Sequence, residues 1–298
     1  MKVLITGANG FVGYYVTKLL LEKGYQVIAT GRGDCRLPFS KEHLFSYYEM
    51  DFTDIVSVKQ VFEKTMPGIV IHSGAISKPD ECELNKEKAW NINVQGTINL
   101  LREAENLKSF FLFVSTDFVF DGEKGMYREE DIPLPVNFYG ETKLAAEKEV
   151  LAYPYFWSIV RTVLVYGKPL TGRDNLLTIV KNKLEKGEEY SVVNDQVRTP
   201  TYVVDLAQGI FSVIEKKAEG IFHISGEDVT TPYEMACKTA VLLGLDVGLI
   251  KEVTASSFSQ PAMRPPKTGF NIQKAKSVLG YHPVSFDEGL RKTFSEKD

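Results

Sequence analysis

Tyr139 and Lys143 stand four residues apart in Tyr139-Gly140-Glu141-Thr142-Lys143, directly after the turn-rich run Pro133-Leu134-Pro135-Val136-Asn137. If a helix opens there, residues i and i+4 share a face, and a phenol and an ammonium come to one spot. A neighbouring cation favours the phenolate, so a hydroxyl whose free pKa is about 10 moves closer to proton exchange near neutrality. Such a pair suits the reduction of a carbonyl, which needs a proton donor beside the incoming hydride. Standing alone, it is more often an exposed Tyr and a solvated Lys on an amphipathic helix. The rest of the chain decides between the two.

The N-terminus supplies the first support. Residues 2–6 read as a buried strand that runs into Gly7-Ala8-Asn9-Gly10-Phe11-Val12-Gly13, and an apolar stretch of helical period follows. Strand, glycine turn and helix in that order turn backbone N–H groups at a helix N-terminus toward a pyrophosphate, and the glycines allow close approach. The spacing is G-x-x-G-x-x-G, so Gly7, Asn9, Gly10, Phe11, Val12 and Gly13 are candidate dinucleotide contacts. Gly also serves ordinary tight turns; it is the first-strand position with both flanks correct that favours a nucleotide.

Composition excludes several other classes. A chain of 298 residues, 44% hydrophobic and 25% charged, is that of a globular protein with room for a large core. Its net charge of −4, without a Lys/Arg cluster, argues against a nucleic-acid surface. The apolar run 110–114 passes at once into Ser115, Thr116 and Asp117, far short of a membrane span, and the start lacks a secretory layout. Cys35, Cys82 and Cys237 are odd in number and widely spaced, so a reducing cytoplasm is the expected location. His43, His72, His223 and His282 have no metal-ligand spacing; no metal site is expected, and His72 and His223 read as packed, hydrogen-bonded imidazoles.

The elements that must position these residues alternate as in a parallel α/β sheet. Strands are predicted over 2–6, 26–30, 45–50, 68–72, 110–115 and 157–162, with helices over 12–22, 55–65, 86–106 and 139–151. The fold class is therefore α/β: a Rossmann-like, doubly wound parallel sheet with a smaller C-terminal α/β lobe. Residues 1–165 form the dinucleotide-binding lobe, with 200–223 returning to it, and 166–199 and 224–298 form the smaller lobe. Beyond residue 165, helices are predicted over 175–186, 204–216 and 232–243, and strands over 190–194, 221–225 and 247–252. Ligands in such sheets lie at the carboxyl ends of strands. Gly7 to Gly13, Arg32, Asp51, Ser73-Gly74-Ala75 and Ser115-Thr116-Asp117 all fall there. At the end of the second strand Arg32 precedes Asp34; a cation there suits a 2′-phosphate and favours NADP(H), while Asp34 keeps NAD(H) open. Asp51 is a candidate adenine contact or a turn residue, with Asp54 the better helix cap.

Several motifs together resemble a known family. Gly7 to Gly13, Ser115-Thr116-Asp117-Phe118-Val119-Phe120-Asp121-Gly122, the run 127–133, Tyr139-Gly140-Glu141-Thr142-Lys143 and Thr199-Pro200-Thr201 resemble the extended short-chain dehydrogenases/reductases of the dTDP-4-dehydrorhamnose reductase type. The likeness runs nearly end to end, through the run 220–226 and Arg264-Pro265. It implies a nicotinamide cofactor, a 4-keto nucleotide-sugar substrate and a homodimer. It also implies catalytic roles for Thr116, Tyr139 and Lys143: Tyr139 gives the proton, Lys143 holds the phenol's pKa down and bonds the nicotinamide ribose, and Thr116 orients the substrate oxygen. Phe52, Gly74 and Ala75 join the expected cofactor contacts. Asp117, Gln196, Arg198 and Arg264 are the expected substrate contacts; for Asp117, Arg198 and Arg264 a turn, a salt bridge and a loop cap respectively remain open.

Two departures bear on substrate. Where the rhamnose-pathway enzymes carry Ser-Trp, this chain has Val163-Leu164, and Val197-Arg198 brings a cation where they have small residues. The runs 127–133 and 233–236 with Phe222 also resemble the methionine adenosyltransferase regulatory subunits, which implies a nucleotide-binding partner protein with little turnover. A nucleotide-sugar epimerase or dehydratase is a third reading, since it needs the same Tyr and Lys.

Overall fold

The structure of the chain, a computed structural model, describes residues 1–295. Its first part runs β1 (Lys2–Thr6), α1 (Phe11–Glu22), β2 (Gln26–Gly31), β3 (Phe45–Glu49), α2 (Ile55–Thr65) and β4 (Ile69–His72). Next come α3 (Pro79–Leu84), α4 (Lys86–Trp90), α5 (Gly96–Leu107), β5 (Phe110–Thr116), α6 (Phe138–Leu151), β6 (Trp157–Thr162) and β7 (Val165–Tyr166). The remainder is α7 (Leu176–Leu184), β8 (Tyr190–Val193), β9 (Thr201–Tyr202), α8 (Val203–Lys216), β10 (Gly220–His223), α9 (Pro232–Leu243), β11 (Ile250–Val253) and α10 (Phe286–Ser295).

Seven strands make one parallel sheet in the order β10-β6-β5-β4-β1-β2-β3. Helices cover both faces, as buried parallel strands require. Successive side chains of a strand point to opposite faces. In β1, Val3 and Ile5 accordingly join Val16 and Leu20 of α1 and Leu206 and Ile210 of α8, while Leu4 joins Phe62 of α2, Leu100 of α5 and Val150 of α6. Each such side chain taken out of water contributes about 1.5–3 kcal/mol. The strand order reverses between β1 and β4, and at that switch point a parallel sheet opens its ligand crevice.

Two further cores lie outside the seven-stranded sheet. Val180, Leu184, Val192, Ala236, Ala240 and Ile250 pack α7 and α9 on the parallel pair β8 and β11. Tyr166, Leu177, Tyr202, Met235, Phe286 and Leu290 fill a second cluster beneath β7, β9 and α10.

The long helix predicted over 86–106 is broken into α4 and α5, joined by one wide π-helical turn, Asn91–Gln95. The short α3 is not predicted: it has six residues, starts at Pro79 and buries Cys82 alone, so it shows no apolar period. The pair β7 and β9 is also unpredicted; two residues a side is too little for an alternating pattern. No helix among the described residues is long and apolar enough to cross a membrane.

Candidate active site

Caps at the start of α6 fix the position of Tyr139. Asn137 is the N-cap: its side-chain oxygen accepts from the Gly140 N–H at 2.9 Å, and its amide donates to the Met263 carbonyl at 2.7 Å. The carboxylate of Glu83, on α3, accepts from the Phe138 N–H at 3.0 Å. Gly140 lets the helix approach the turn after β5, because a Cβ there would stand 2.1 Å from the Phe118 carbonyl oxygen. The π turn serves the same end. Asn93 within it accepts from the Ile76 N–H at 2.9 Å and donates to the Ile76 carbonyl and the Thr142 hydroxyl, each at 3.0 Å, tying the loop after β4 to α6.

The three expected catalytic residues lie together at the carboxyl end of β5. The Tyr139 phenol lies beside the Thr116 hydroxyl, with its ring 5.7 Å from that of Phe118 between centres. Thr116 donates to Asp117 at 3.0 Å and accepts from the Phe118 N–H at 3.3 Å, which sets phenol, hydroxyl and carboxylate in one cluster. Lys143, one helical turn along, donates to the Val114 carbonyl at 2.9 Å and stands 3.8 Å from the centre of the Phe113 ring. All four side chains are buried.

Burial sets their electrostatics, and here the structure corrects one expectation. The spacing predicts an ammonium that holds the phenol's pKa down. Instead burial pushes the Tyr139 phenol well above its ordinary value, against the smaller lowering effect of the neighbouring Thr116 hydroxyl. Burial also pushes Lys143 down to about 7, with the charge of Glu147 working the other way. With its pKa near 7, Lys143 carries its charge only part of the time at neutrality and does not offset the burial of the phenol. Glu147 itself is locked in a buried bidentate pair with Arg161 on β6, at 2.9 and 2.6 Å. His72, as read from the sequence, is a packed imidazole between Thr6 (2.6 Å) and Thr97 (3.1 Å), and burial lowers its pKa well below the ordinary value. His223 likewise bonds the Tyr127 carbonyl at 3.0 Å and stacks on Phe270.

The glycine turn meets the switch point. Gly7 is in the left-handed region (φ 68°), and a Cβ on it would be 2.8 Å from the Gly74 Cα; one on Gly13 would be 2.3 Å from the Gly7 carbonyl oxygen. Helix α1 begins at Gly10 with no side-chain cap and no acidic residue in its first turn, so side chains leave the Phe11 and Val12 end of the helix to an anion. Beside Thr116, the buried Ser115 hydroxyl has no hydrogen-bond partner. A side-chain-free cradle, an uncapped helix start and an orphaned hydroxyl fit a dinucleotide.

At its far end Asn9 organises the loop after β2. Its amide donates to the Asp34 carbonyl and the Tyr47 hydroxyl, both at 3.0 Å, and its oxygen accepts from the Arg36 N–H at 2.9 Å. Arg32 is exposed. Arg36, which the sequence reading passed over, reaches back to the Asn9 carbonyl at 3.4 Å and puts a second cation beside this loop; its place four residues after Arg32 was the available signal. Asp51 closes an Asx turn, accepting from the Thr53 N–H (2.9 Å) and hydroxyl (2.7 Å), and Asp54 is the cap of α2. Phe52 is a wedge: a Cβ on Gly74 or Gly96 would come within 2.7 or 2.4 Å of its ring. Ala75 lies half-buried after Gly74.

The four expected substrate contacts divide. Asp117 is buried beside Thr116; one carboxylate oxygen accepts from Thr116 and the other from Thr268, and burial raises its pKa. Arg198 is corrected. It is buried, and its guanidinium donates to the carbonyls of Val197 (2.8 Å), Pro266 (3.0 Å) and Pro265 (2.8 Å) and to the side-chain oxygen of Gln196 (3.0 Å), with Asp117 4.0 Å from its Nε. Four of its five donors are occupied and the fifth, Nε–H, faces Asp117, so Arg198 clamps the loop at Pro265 and Pro266 onto the site and is not free to pair a diphosphate bidentately. Gln196 is buried as its partner. Arg264 is likewise engaged, bidentate to Asp80 at 2.6 Å on both oxygens, and it pins its loop to α3.

Three comparisons accord with this geometry. A dTDP-4-dehydrorhamnose reductase from Bacillus anthracis, solved in complex with NADP, superposes with a TM-score of 0.87 at 30% identity, covering 99% of each chain. The spore coat polysaccharide biosynthesis protein SpsK of Bacillus subtilis is 30% identical over 99% of this chain and 98% of its own length. Methionine adenosyltransferase 2 subunit beta from Bos taurus is 32% identical over 98% of this chain and 86% of that protein. The family described as the RmlD substrate binding domain matches residues 1–298, so both the motifs and the fold agree: the chain belongs to that family, among the extended short-chain dehydrogenases/reductases of the dTDP-4-dehydrorhamnose reductase type.

Proposed function

We propose that the protein reduces the C4 ketone of a nucleotide sugar, using NADPH as the favoured and NADH as the possible hydride source. The observation that carries this reading is the buried cluster of the Tyr139 phenol, Thr116 and Asp117, with Lys143 one turn away, next to a glycine cradle at the switch point. The NADP found in the Bacillus anthracis relative supports the cofactor.

The nicotinamide supplies the hydride. The chain's own residues do the rest. A raised phenol pKa keeps Tyr139 protonated before reaction, so a proton is in place for the oxygen that would gain charge at C4. The single Thr116 proton, which rests on Asp117, turns to the substrate oxygen and orients it. Lys143 holds the ribose side of the cofactor and supplies positive charge once the phenolate has formed. Gly7, Asn9, Gly10, Phe11, Val12 and Gly13 cradle the diphosphate, Arg32 meets the 2′-phosphate, and Asp51, Phe52, Gly74 and Ala75 line the adenosine side. Asp117 and Gln196 shape the sugar pocket. Residues 1–165 with 200–223 serve as the dinucleotide lobe, 166–199 and 224–298 as the sugar lobe, and the working form is a homodimer.

A regulatory, non-catalytic role is the second reading, favoured by 32% identity to the adenosyltransferase subunit. One experiment separates the two: NADPH and NADH oxidation is followed by absorbance against 4-keto dTDP-, UDP- and GDP-sugars, with wild type and Tyr139→Phe. The reductase reading expects turnover that falls by about 10²–10⁴-fold in the variant, with dinucleotide affinity retained. Equal background rates for both proteins would refute it.

A further inference from the structure

The segment between β7 and α7 crosses the dinucleotide cradle. Both its ends are tied down. The Tyr15 hydroxyl donates to the Lys168 carbonyl at 2.7 Å, and the Asn175 amide donates to the Gly167 carbonyl at 2.7 Å. Between these ties the Thr171 hydroxyl donates to the Gly10 carbonyl at 3.3 Å. Gly172 (φ 91°) presses so close that a Cβ on it would stand 2.8 Å from the Phe11 backbone nitrogen. The next residue, Arg173, reaches across to the loop after β4 and donates to the Ser77 hydroxyl (3.0 Å) and carbonyl (3.4 Å). Those acceptors are neutral, and among the described residues no carboxylate pairs with Arg173. An exposed cation thus rests on a serine, next to the strap over the start of α1 and within electrostatic reach of the Tyr139 phenol.

We infer that this strap is a latch worked by the dinucleotide: Gly172 covers the Phe11 N–H until a diphosphate takes that donor, and Arg173 then leaves Ser77 to pair with the phosphate nearer the nicotinamide. The inference rests on the dinucleotide reading above. A phosphate oxygen is charged and accepts two parallel guanidinium bonds, so it outcompetes a neutral hydroxyl for Arg173. Arg173 is in this view a cofactor-positioning residue supplied by the smaller lobe, and it closes the crevice with the ligand inside.

The test uses the whole chain and two probes: NADPH, which carries the diphosphate, and adenosine 2′,5′-bisphosphate, which keeps the adenosine and 2′-phosphate but lacks the second half of the diphosphate. Calorimetric titration of Arg173→Ala should show NADPH binding weakened by about 10-fold or more, with the bisphosphate changed by less than about twofold. Arg173→Lys should recover part of the NADPH affinity and so exclude misfolding. Wild-type hydrogen exchange over 170–175 should slow when NADPH saturates and stay unchanged with the bisphosphate. Unchanged NADPH affinity in Arg173→Ala, or an equal loss for both probes, overturns the latch while leaving the cofactor reading intact. Failure of the wild type to bind either probe overturns both.

Discussion

Lys143→Met should make the protein more stable while abolishing its turnover. The side chain is buried, and burial lowers its pKa from 10.5 to about 7. The unfolded chain therefore binds this proton more tightly than the folded one. Between the two values the unfolded state holds more protons, so stability rises with pH across that window, and below the folded value the full penalty applies. A shift of roughly 3.5 units at 1.36 kcal/mol each makes that penalty about 5 kcal/mol. Methionine has nearly the same shape and no charge to desolvate, but it leaves the Val114 carbonyl without its donor, which costs about 1–3 kcal/mol. The net expected gain is about 2–4 kcal/mol at pH 6. Because the wild-type penalty fades above the folded pKa, this gain should shrink by about 3 kcal/mol between pH 6 and pH 9. Urea unfolding of both proteins at several pH values measures it. A difference that stays constant with pH, or a variant less stable than wild type at pH 6, would show that the ammonium is not strained by burial and would sink the reasoning.

Two further substitutions probe how the site is held. Gly140→Ala forces α6 away from the Phe118 carbonyl, since a contact of 2.1 Å must open by about 1 Å or more; stability should fall by about 1–3 kcal/mol and turnover by about 10²-fold, read by thermal unfolding and NADPH oxidation. A fully active, equally stable variant would mean that the close approach does not position Tyr139. Glu147→Gln breaks a buried ion pair and should cost about 3–5 kcal/mol. It also removes the charge that partly sustains the Lys143 ammonium, so an NMR titration of that amine should find its pKa moved further down.

The sheet was legible because its strands are short apolar runs with glycine or polar residues at their ends. β1, β6, α2 and α9 begin and end where the pattern predicts. What escaped was held by tertiary contacts: α3 has no apolar stripe, and the π turn follows from Asn93 reaching Ile76 and Thr142, a contact that no local pattern displays. The site shows the same division. Tyr139 and Lys143 stand out by type and spacing, and Thr116 through the family resemblance. Arg198 and Arg264 do not, because a sequence reveals a cation but not its acceptors: here proline carbonyls, which lie 67 and 68 positions away from Arg198, and an aspartate 184 away from Arg264. Arg173 escaped for the opposite reason, standing in a loop with no motif around it.

The π turn also restricts how this gene can change in length. An α-helix rotates by about 100° per residue, so a residue inserted within 91–95 would swing Leu100 and Ala104 out of the core, while one lost would close the wide turn and move Asn93 off Ile76. Single-codon insertions and deletions should therefore be purged across a stretch that has no titratable side chain and touches no proposed ligand.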